Sequence, residues 1–225
     1  MPQPTLYGAA YSVYVRAARL ALVEKGVAYD LVEIDIYGGA VPDWYAKLHP
    51  FGRIPAFAHV GFRLYEAAAI MRYVDEAFPG PALMPPPGPD GDPRGRARVA
   101  QIQGLIDAYL YRPLIWDIYV ERCDAPEEGR ASDEAKIAAA APRVATCFAA
   151  IEELMVPPDS ESAGSYLLGA QLTLADLHLA PMISLGLRAP EGAALLGRHP
   201  KLARWWDVMR ARPSLAATAT RPEMP

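Results

Sequence analysis

Cysteine is scarce: Cys123 and Cys147 are the only two in 225 residues. They do not stand in Cys-x-x-Cys spacing, which argues against a thioredoxin-type redox pair and a zinc site. Both fall in helix-forming sequence and read as packed thiols. Basic runs are missing too. Lys and Arg number 22 against 26 Asp and Glu, a net charge of −4, which disfavours general binding to nucleic acid. No apolar stretch is long enough to span a bilayer. The N-terminus lacks the charged region and hydrophobic core of a secretory signal, so the cytoplasm is the expected compartment. No internal repeat is visible. What is present is ordinary for a globular chain, with 52% hydrophobic and 21% charged residues. The length suits one large or two small domains.

Proline is plentiful and unevenly placed. Pro79-Gly80-Pro81 and Pro85-Pro86-Pro87-Gly88-Pro89 make the sharpest composition break in the chain. Such a cluster resists both helix and central strand and acts as a stiff connector. The expected boundaries are therefore a first domain over 1–79, a linker over 80–92 and a second domain over 93–225.

Before the break, Thr5-Leu6-Tyr7 reads as a strand ended by Gly8, and Ser12 as the cap of a helix running to Gly26. Residues 29–36 read as a second strand, parallel to the first because a helix separates them. A helical turn over 43–48 follows. Residues 55–59 and 62–65 then flank Val60-Gly61 as a hairpin, and 66–78 form an Ala-rich helix. After the break the pattern is helical over about 94–122, 132–155, 173–187 and 200–212, with Pro113 expected to kink or break the first. Residues 159–165 read as a polar surface loop. Thr173-Leu174-Ala175-Asp176 has the form of a capping box with Asp at its fourth position. Leu172 and Leu177 suit the accompanying hydrophobic staple. Its reading is structural.

The central stretch is His49-Pro50-Phe51-Gly52-Arg53-Ile54-Pro55-Ala56, followed by Glu66-Ala67 at a helix start. Pro55 donates no backbone hydrogen bond, and Ile54 before it is biased toward extended geometry. Read alone, this is an ordinary turn. Were the Ile54–Pro55 bond cis, the Ile54 amide and carbonyl would face outward, unused by any sheet. The stretch resembles the glutathione transferase signature, in which Asn-Pro-Phe-Gly-x-Ile/Val-Pro-Ala precedes Glu-Ser at a helix start. With the β-α-β-α-β-β-α order before it and Leu172–Asp176 after it, the resemblance covers most of the chain. It points to bacterial, serine-type, phi- or theta-like members of that superfamily. It implies a thioredoxin-like α/β domain with a mixed four-stranded sheet, followed by an all-helical domain.

The resemblance also implies a chemistry. Glutathione is the co-substrate, no metal is needed, and the thiolate attacks a small hydrophobic electrophile or reduces a hydroperoxide, in detoxification. A non-catalytic binding module of the same fold is the alternative. Ser12 takes the place of the catalytic serine. A free thiol with a pKa near 8.5 is only a few per cent ionised at neutral pH. A hydroxyl donor and a helix N-terminus both stabilise the anion. Tyr7, near the tyrosine that other classes use, is the alternative catalytic residue. Glu66 is expected at the γ-glutamyl ammonium, and Ile54 with Pro55 at the cysteinyl unit. Arg53 is expected at the glycyl carboxylate, though it also reads as a surface charge. Ala67 departs from the family, since a serine hydroxyl is lost. A bond to a charged group is worth about 1.5–3 kcal/mol. The basic pair of phi enzymes near position 40 is replaced by Gly38-Gly39-Ala40-Val41. Tyr11, Val13, Tyr109 and Trp116 are expected to line the electrophile pocket. A homodimer is implied, with neither nucleic acid nor membrane as partner. His49 stands where the signature has Asn and reads as structural. His59 reads as exposed near the hairpin turn, and His178 and His199 suggest no metal set.

Overall fold

Glycine and proline punctuate the first third of the chain, and the strands between them are correspondingly short. The computed structural model describes residues 2–37, 41–88, 90–156, 164–220 and 224. Four strands form one sheet: β1 (Thr5–Tyr7), β2 (Asp30–Val32), β3 (Ala56–His59) and β4 (Phe62–Tyr65), in the order β2-β1-β3-β4. Helix α1 (Val13–Glu24) separates β1 from β2, and a crossover of that kind makes the pair parallel, with Leu6 opposite Leu31. β3 pairs antiparallel with both β1 and β4, placing Phe57 between Leu6 and Leu64. The Val60-Gly61 turn has positive φ at both residues, 49° and 80°, as a two-residue hairpin requires. A 3₁₀ turn over Asp43–Lys47 precedes β3, and helix α2 (Ala67–Ala77) follows β4. Leu6, Leu20, Phe57, Ile70 and Met71 are fully buried and make the core of this unit.

The second strand is shorter than the expected 29–36. β2 lies at the sheet edge and can pair only with β1, itself three residues long; the ladder closes with the Gly8 amide on the Val32 carbonyl at 3.0 Å.

The chain divides into two compact units, one ending at Met84 and the other beginning at Pro85. That division falls inside the expected linker over 80–92, with residues 80–84 grouped with the first unit. The reason is a buried clamp. Lys25 Nζ donates to the Asp75 carboxylate (3.1 Å) and to the carbonyls of Asp75 (2.9 Å) and Pro81 (3.0 Å), while the Leu83 amide donates to Asp75 (2.8 Å). Gly80, at φ 125°, lies so close to the Lys25 carbonyl that a Cβ would stand 2.7 Å from it.

Helix α9 (Pro213–Thr218) groups with the first unit by its contacts. Arg16 donates to Thr218 Oγ1 (3.3 Å) and to the Leu215 carbonyl (3.0 Å), and Arg19 donates to the Thr218 carbonyl (3.2 Å). Cations placed on the last carbonyls of a short helix close its otherwise open end. The Ser214 hydroxyl bonds Glu24 from the other side.

The second unit is helical throughout. Asp92 caps α3 (Pro93–Leu105), accepting from the Gly95 amide at 2.7 Å, and Asp133 caps α5 (Glu134–Leu154). Between them lies a coil with i→i+5 bonding over Ile106–Leu110 and Arg112–Asp124, ending in the short α4 (Ala125–Glu127). Pro113 does not break this segment. It lies inside a helical run that continues from Pro93 through Ala125, and the local departure from α geometry is a widening to i→i+5 bonding on both sides of it. Buried Asp117 and Glu121 on this coil meet cations: Arg112 at 3.0 Å and Arg143 at 3.6 Å from Asp117, and Lys136 at 2.5 Å from Glu121. Helix α6 (Leu174–Gly186) is buried at every residue from Leu174 to Ser184. Two further helices begin at prolines, α7 (Pro190–Leu196), which had no counterpart in the sequence reading, and α8 (Pro200–Arg210). Of the expected loop at 159–165, residues 159–163 lie outside the described residues.

Candidate active site

The site residues of the first unit converge because Gly8 has no side chain. At φ 153° it ends β1, and a Cβ there would stand 2.5 Å from Val15 Cγ2 and 3.3 Å from Ile54 Cβ. The end of the first strand, the first turn of α1 and residue 54 therefore meet at one point.

Ser12 is the N-cap of α1. Its backbone is extended (φ −73°, ψ 126°) and its Oγ accepts from the Val15 amide at 3.4 Å. That long bond uses an oxygen lone pair and leaves the O–H free to donate elsewhere. The side chain is half-buried at the positive end of a twelve-residue helix. Capping and donation to an anion are thus compatible roles for one hydroxyl.

The Ile54–Pro55 bond is cis. β3 begins only at Ala56, and among the described residues the Ile54 amide and carbonyl have no main-chain partner. Glu66 follows β4 at φ 73°, ψ 117°, a left-handed region that costs a non-glycine residue about 1–3 kcal/mol. Its side chain is exposed and does not cap α2, so the first-turn amides from Ala67 onward take no side-chain acceptor there. Ala67 itself is buried. Arg53 is exposed, and among the described residues its guanidinium has no ion-pair partner. Ile54 and Pro55 are both buried as whole residues, so the unpaired Ile54 peptide is polar main chain in a largely enclosed place. The departure at positions 38–40 lies outside the described residues.

Around this loop the aromatic residues form a cluster. The Tyr7 ring stands edge-on to Trp44 (5.9 Å between centroids) and near Tyr45 (6.5 Å), as an ordinary strand aromatic would, and its hydroxyl has no hydrogen-bond partner among the described residues. His49 lies 4.9 Å from Tyr65 and 6.4 Å from Tyr45, with its Nδ1 buried and unpaired. Burial, reinforced by the nearby Arg53 charge, lowers its pKa and keeps the ring neutral. Tyr45 was not singled out in the sequence. It is wholly buried and its hydroxyl donates to the Arg53 carbonyl at 2.8 Å. No local pattern announces a bond that spans eight residues of irregular chain.

The expected electrophile-pocket residues fall two in each unit. Tyr11 is 45% exposed, and its hydroxyl donates to Asp35 at 2.8 Å. Partial desolvation and that carboxylate push the phenol well above its ordinary pKa, so it stays protonated. Val13 is only 5% exposed, because the first turn of α1 turns it inward, and it offers little surface to any ligand. In the second unit Tyr109 is exposed and Trp116 half-buried, both on the wide coil.

His59 is a correction. It is buried, not exposed: its Nε2–H donates to the Pro2 carbonyl (3.1 Å), which leaves Nδ1 to accept from the Tyr73 hydroxyl (2.9 Å). His178 is paired with Asp107 at 2.7 Å and His199 with Glu152 at 3.1 Å. Among the described residues no group of three or more His, Cys, Asp or Glu could hold a metal. Cys147 is buried and Cys123 half-buried, and burial raises both thiol pKa values, the reverse of what a reactive cysteine needs. No helix among the described residues is long and apolar enough to cross a membrane.

Known proteins resemble this chain over nearly its whole length. Residues 6–82 match the family model for the glutathione S-transferase N-terminal domain, and residues 118–218 that for its C-terminal domain. Glutathione S-transferase F10 of Arabidopsis thaliana is 30% identical over 98% of either chain. Glutathione S-transferase F9 of the same plant is 29% identical over 93% of this chain and 94% of its own. The solved structure of glutathione S-transferase III in apo form superposes with a TM-score of 0.80 at 26% identity, covering 100% of this chain and 99% of the other. Both family models, the relatives and the sheet order lead to one conclusion: the chain belongs to the glutathione S-transferase family.

Proposed function

We propose that this glutathione transferase lays the tripeptide along the main chain at residues 53–55 and ionises its thiol through Ser12. The observation that carries this is the Ile54 peptide with its amide and carbonyl unpaired, brought by Gly8 against the helix start that Ser12 caps. An extended ligand pairs with such an edge as a strand would. Glu66 faces the γ-glutamyl ammonium, the first-turn amides of α2 take the γ-glutamyl carboxylate, and Arg53 takes the glycyl carboxylate. The thiolate attacks a small hydrophobic electrophile, with hydroperoxide reduction as a second outlet of the same nucleophile. Tyr11, exposed beside the start of α1, contacts the electrophile. Tyr7 is the alternative thiolate donor. The chemistry needs no metal, since a hydroxyl and a helix N-terminus supply the stabilisation. Detoxification in the cytoplasm fits this reaction class.

The test is retention on immobilised glutathione together with the ultraviolet thiolate band of bound glutathione near neutral pH. Absence of both would favour a non-catalytic binding role. Ala67→Ser restores a hydroxyl donor to the γ-glutamyl carboxylate and should tighten glutathione about tenfold, one charge-assisted bond's worth. An unchanged Kd by calorimetry would mean that the carboxylate is not held there.

The assembly we propose is a homodimer. Phe51 is 70% exposed, with Val60 at 71% and Phe62 at 48%, in the first unit. A homodimer would take such side chains out of water, Phe51 foremost, which favours association. Sedimentation should give twice the monomer mass, and Phe51→Ala should shift the equilibrium toward monomer; a monomeric wild type would refute it.

A further inference from the structure

The loop that presents Ile54 is held at both ends by one residue. The carbonyl of Tyr45 accepts the amides of Leu48 (2.8 Å) and His49 (2.9 Å) where the loop begins. Its hydroxyl donates to the Arg53 carbonyl (2.8 Å) where the loop ends. Inside, the Gly52 amide closes a turn on the His49 carbonyl at 3.0 Å. The Tyr45 ring cannot swing away, since it is fully buried among Trp44 (5.9 Å), His49 (6.4 Å) and Tyr7 (6.5 Å). Desolvation raises its phenol pKa far above the usual value, so the hydroxyl keeps its proton and remains a donor.

The bonded carbonyl belongs to the same peptide group as the Ile54 amide. The Arg53–Ile54 bond is trans, so its C=O and N–H point in opposite directions. A donor gripping the carbonyl from inside therefore fixes the direction of the amide outside. It also polarises the group, because hydrogen bonds in a chain strengthen one another. We propose that Tyr45 is a positioning residue for glutathione, holding the Arg53–Ile54 peptide plane so that the Ile54 N–H is aimed at, and made a better donor to, the cysteinyl unit. The inference rests on the glutathione reading above. It adds a residue that touches neither glutathione nor electrophile, yet sets the affinity for one of them.

The experiment compares glutathione titrations and steady-state kinetics of the wild type with Tyr45→Phe, which removes one hydroxyl and leaves the ring cluster. Kd and KM for glutathione should rise about threefold to tenfold, the span of one neutral hydrogen bond. The kcat at saturating glutathione, the KM for the electrophile and the pKa of the bound thiol should hold, because Ser12 is untouched. A merely structural role would lower the melting temperature and the yield of active enzyme while leaving Kd unchanged, and that result overturns the proposal. A second form replaces Tyr45 with 3-fluorotyrosine, a stronger donor of nearly the same shape, and should bind glutathione more tightly than wild type. Equal affinity of the fluorinated and wild-type proteins overturns the proposal even if the phenylalanine variant folds poorly. A wild type that does not bind glutathione removes the functional reading itself; binding that is indifferent to position 45 removes only this inference.

Discussion

Ser12→Ala is expected to lose about two orders of magnitude in kcat/KM for conjugation, with the pKa of bound glutathione rising by about two units. Each unit is worth about 1.36 kcal/mol, and a hydroxyl donor to a thiolate at a helix N-terminus accounts for a shift of that size. The same change removes the cap on α1, whose Oγ accepts from Val15, at a cost of roughly 1 kcal/mol of stability. The two losses separate in a second variant. Ser12→Asp keeps a good cap but offers only acceptor oxygens and a negative charge, so stability should hold while the thiolate is repelled. Thiol titration by ultraviolet absorbance, alongside thermal melts, reads both. Undiminished conjugation by Ser12→Ala would remove Ser12 from the mechanism. Attention would then pass to Tyr7, whose hydroxyl takes no hydrogen-bond partner among the described residues.

The second large effect falls on stability alone. Asp176 is wholly buried and accepts four hydrogen bonds: from the Thr173 amide (2.8 Å) and hydroxyl (2.9 Å), the Leu167 amide (2.8 Å) and Trp205 Nε1 (2.8 Å). Burial pushes the carboxyl above its ordinary range, and the four donors oppose that shift. The capping box that the sequence suggested is formed, with Leu172 and Leu177 both buried. It is also only half of what Asp176 does. The carboxylate ties α6 to Leu167 before it and to Trp205 of α8 after it. Asp176→Ala would leave those donors unpaired in the core, a loss on the order of 3–5 kcal/mol. Against a total stability of about 5–15 kcal/mol, the variant should unfold or melt roughly 10 °C lower. Whatever protein stays folded should retain its kcat. A normal melting temperature with lost turnover would point instead to a catalytic role.

Features whose partners lie within a few residues were legible from the chain alone. The cap at Ser12, the left-handed pair Val60-Gly61 and the capping box at Thr173 and Asp176 are each specified by chemistry spanning three or four positions. The parallel pairing of β1 and β2 followed from the helix between them. His59 was misread because the groups that bury it, Tyr73 and the Pro2 carbonyl, come from other segments. Pro113 was expected to kink or break its helix, and the wide coil found there has no periodicity signal of its own. Tyr45 passed unnoticed, as its hydroxyl's partner is a main-chain atom with no residue type to give it away.

The proline-rich break in composition marked the two-part architecture, while the resemblance to the glutathione transferase signature supplied the family and Ser12, Ile54 and Glu66 as places to look. Tertiary structure alone decided that Gly8 lets β1, α1 and residue 54 meet, that α9 returns to the first unit through Arg16 and Arg19, and that one buried tyrosine holds the peptide between Arg53 and Ile54. The division has a physical cause. Local conformation is dictated by side chains three or four positions away, whereas burial and long-range hydrogen bonds depend on which segments the collapsed chain brings together.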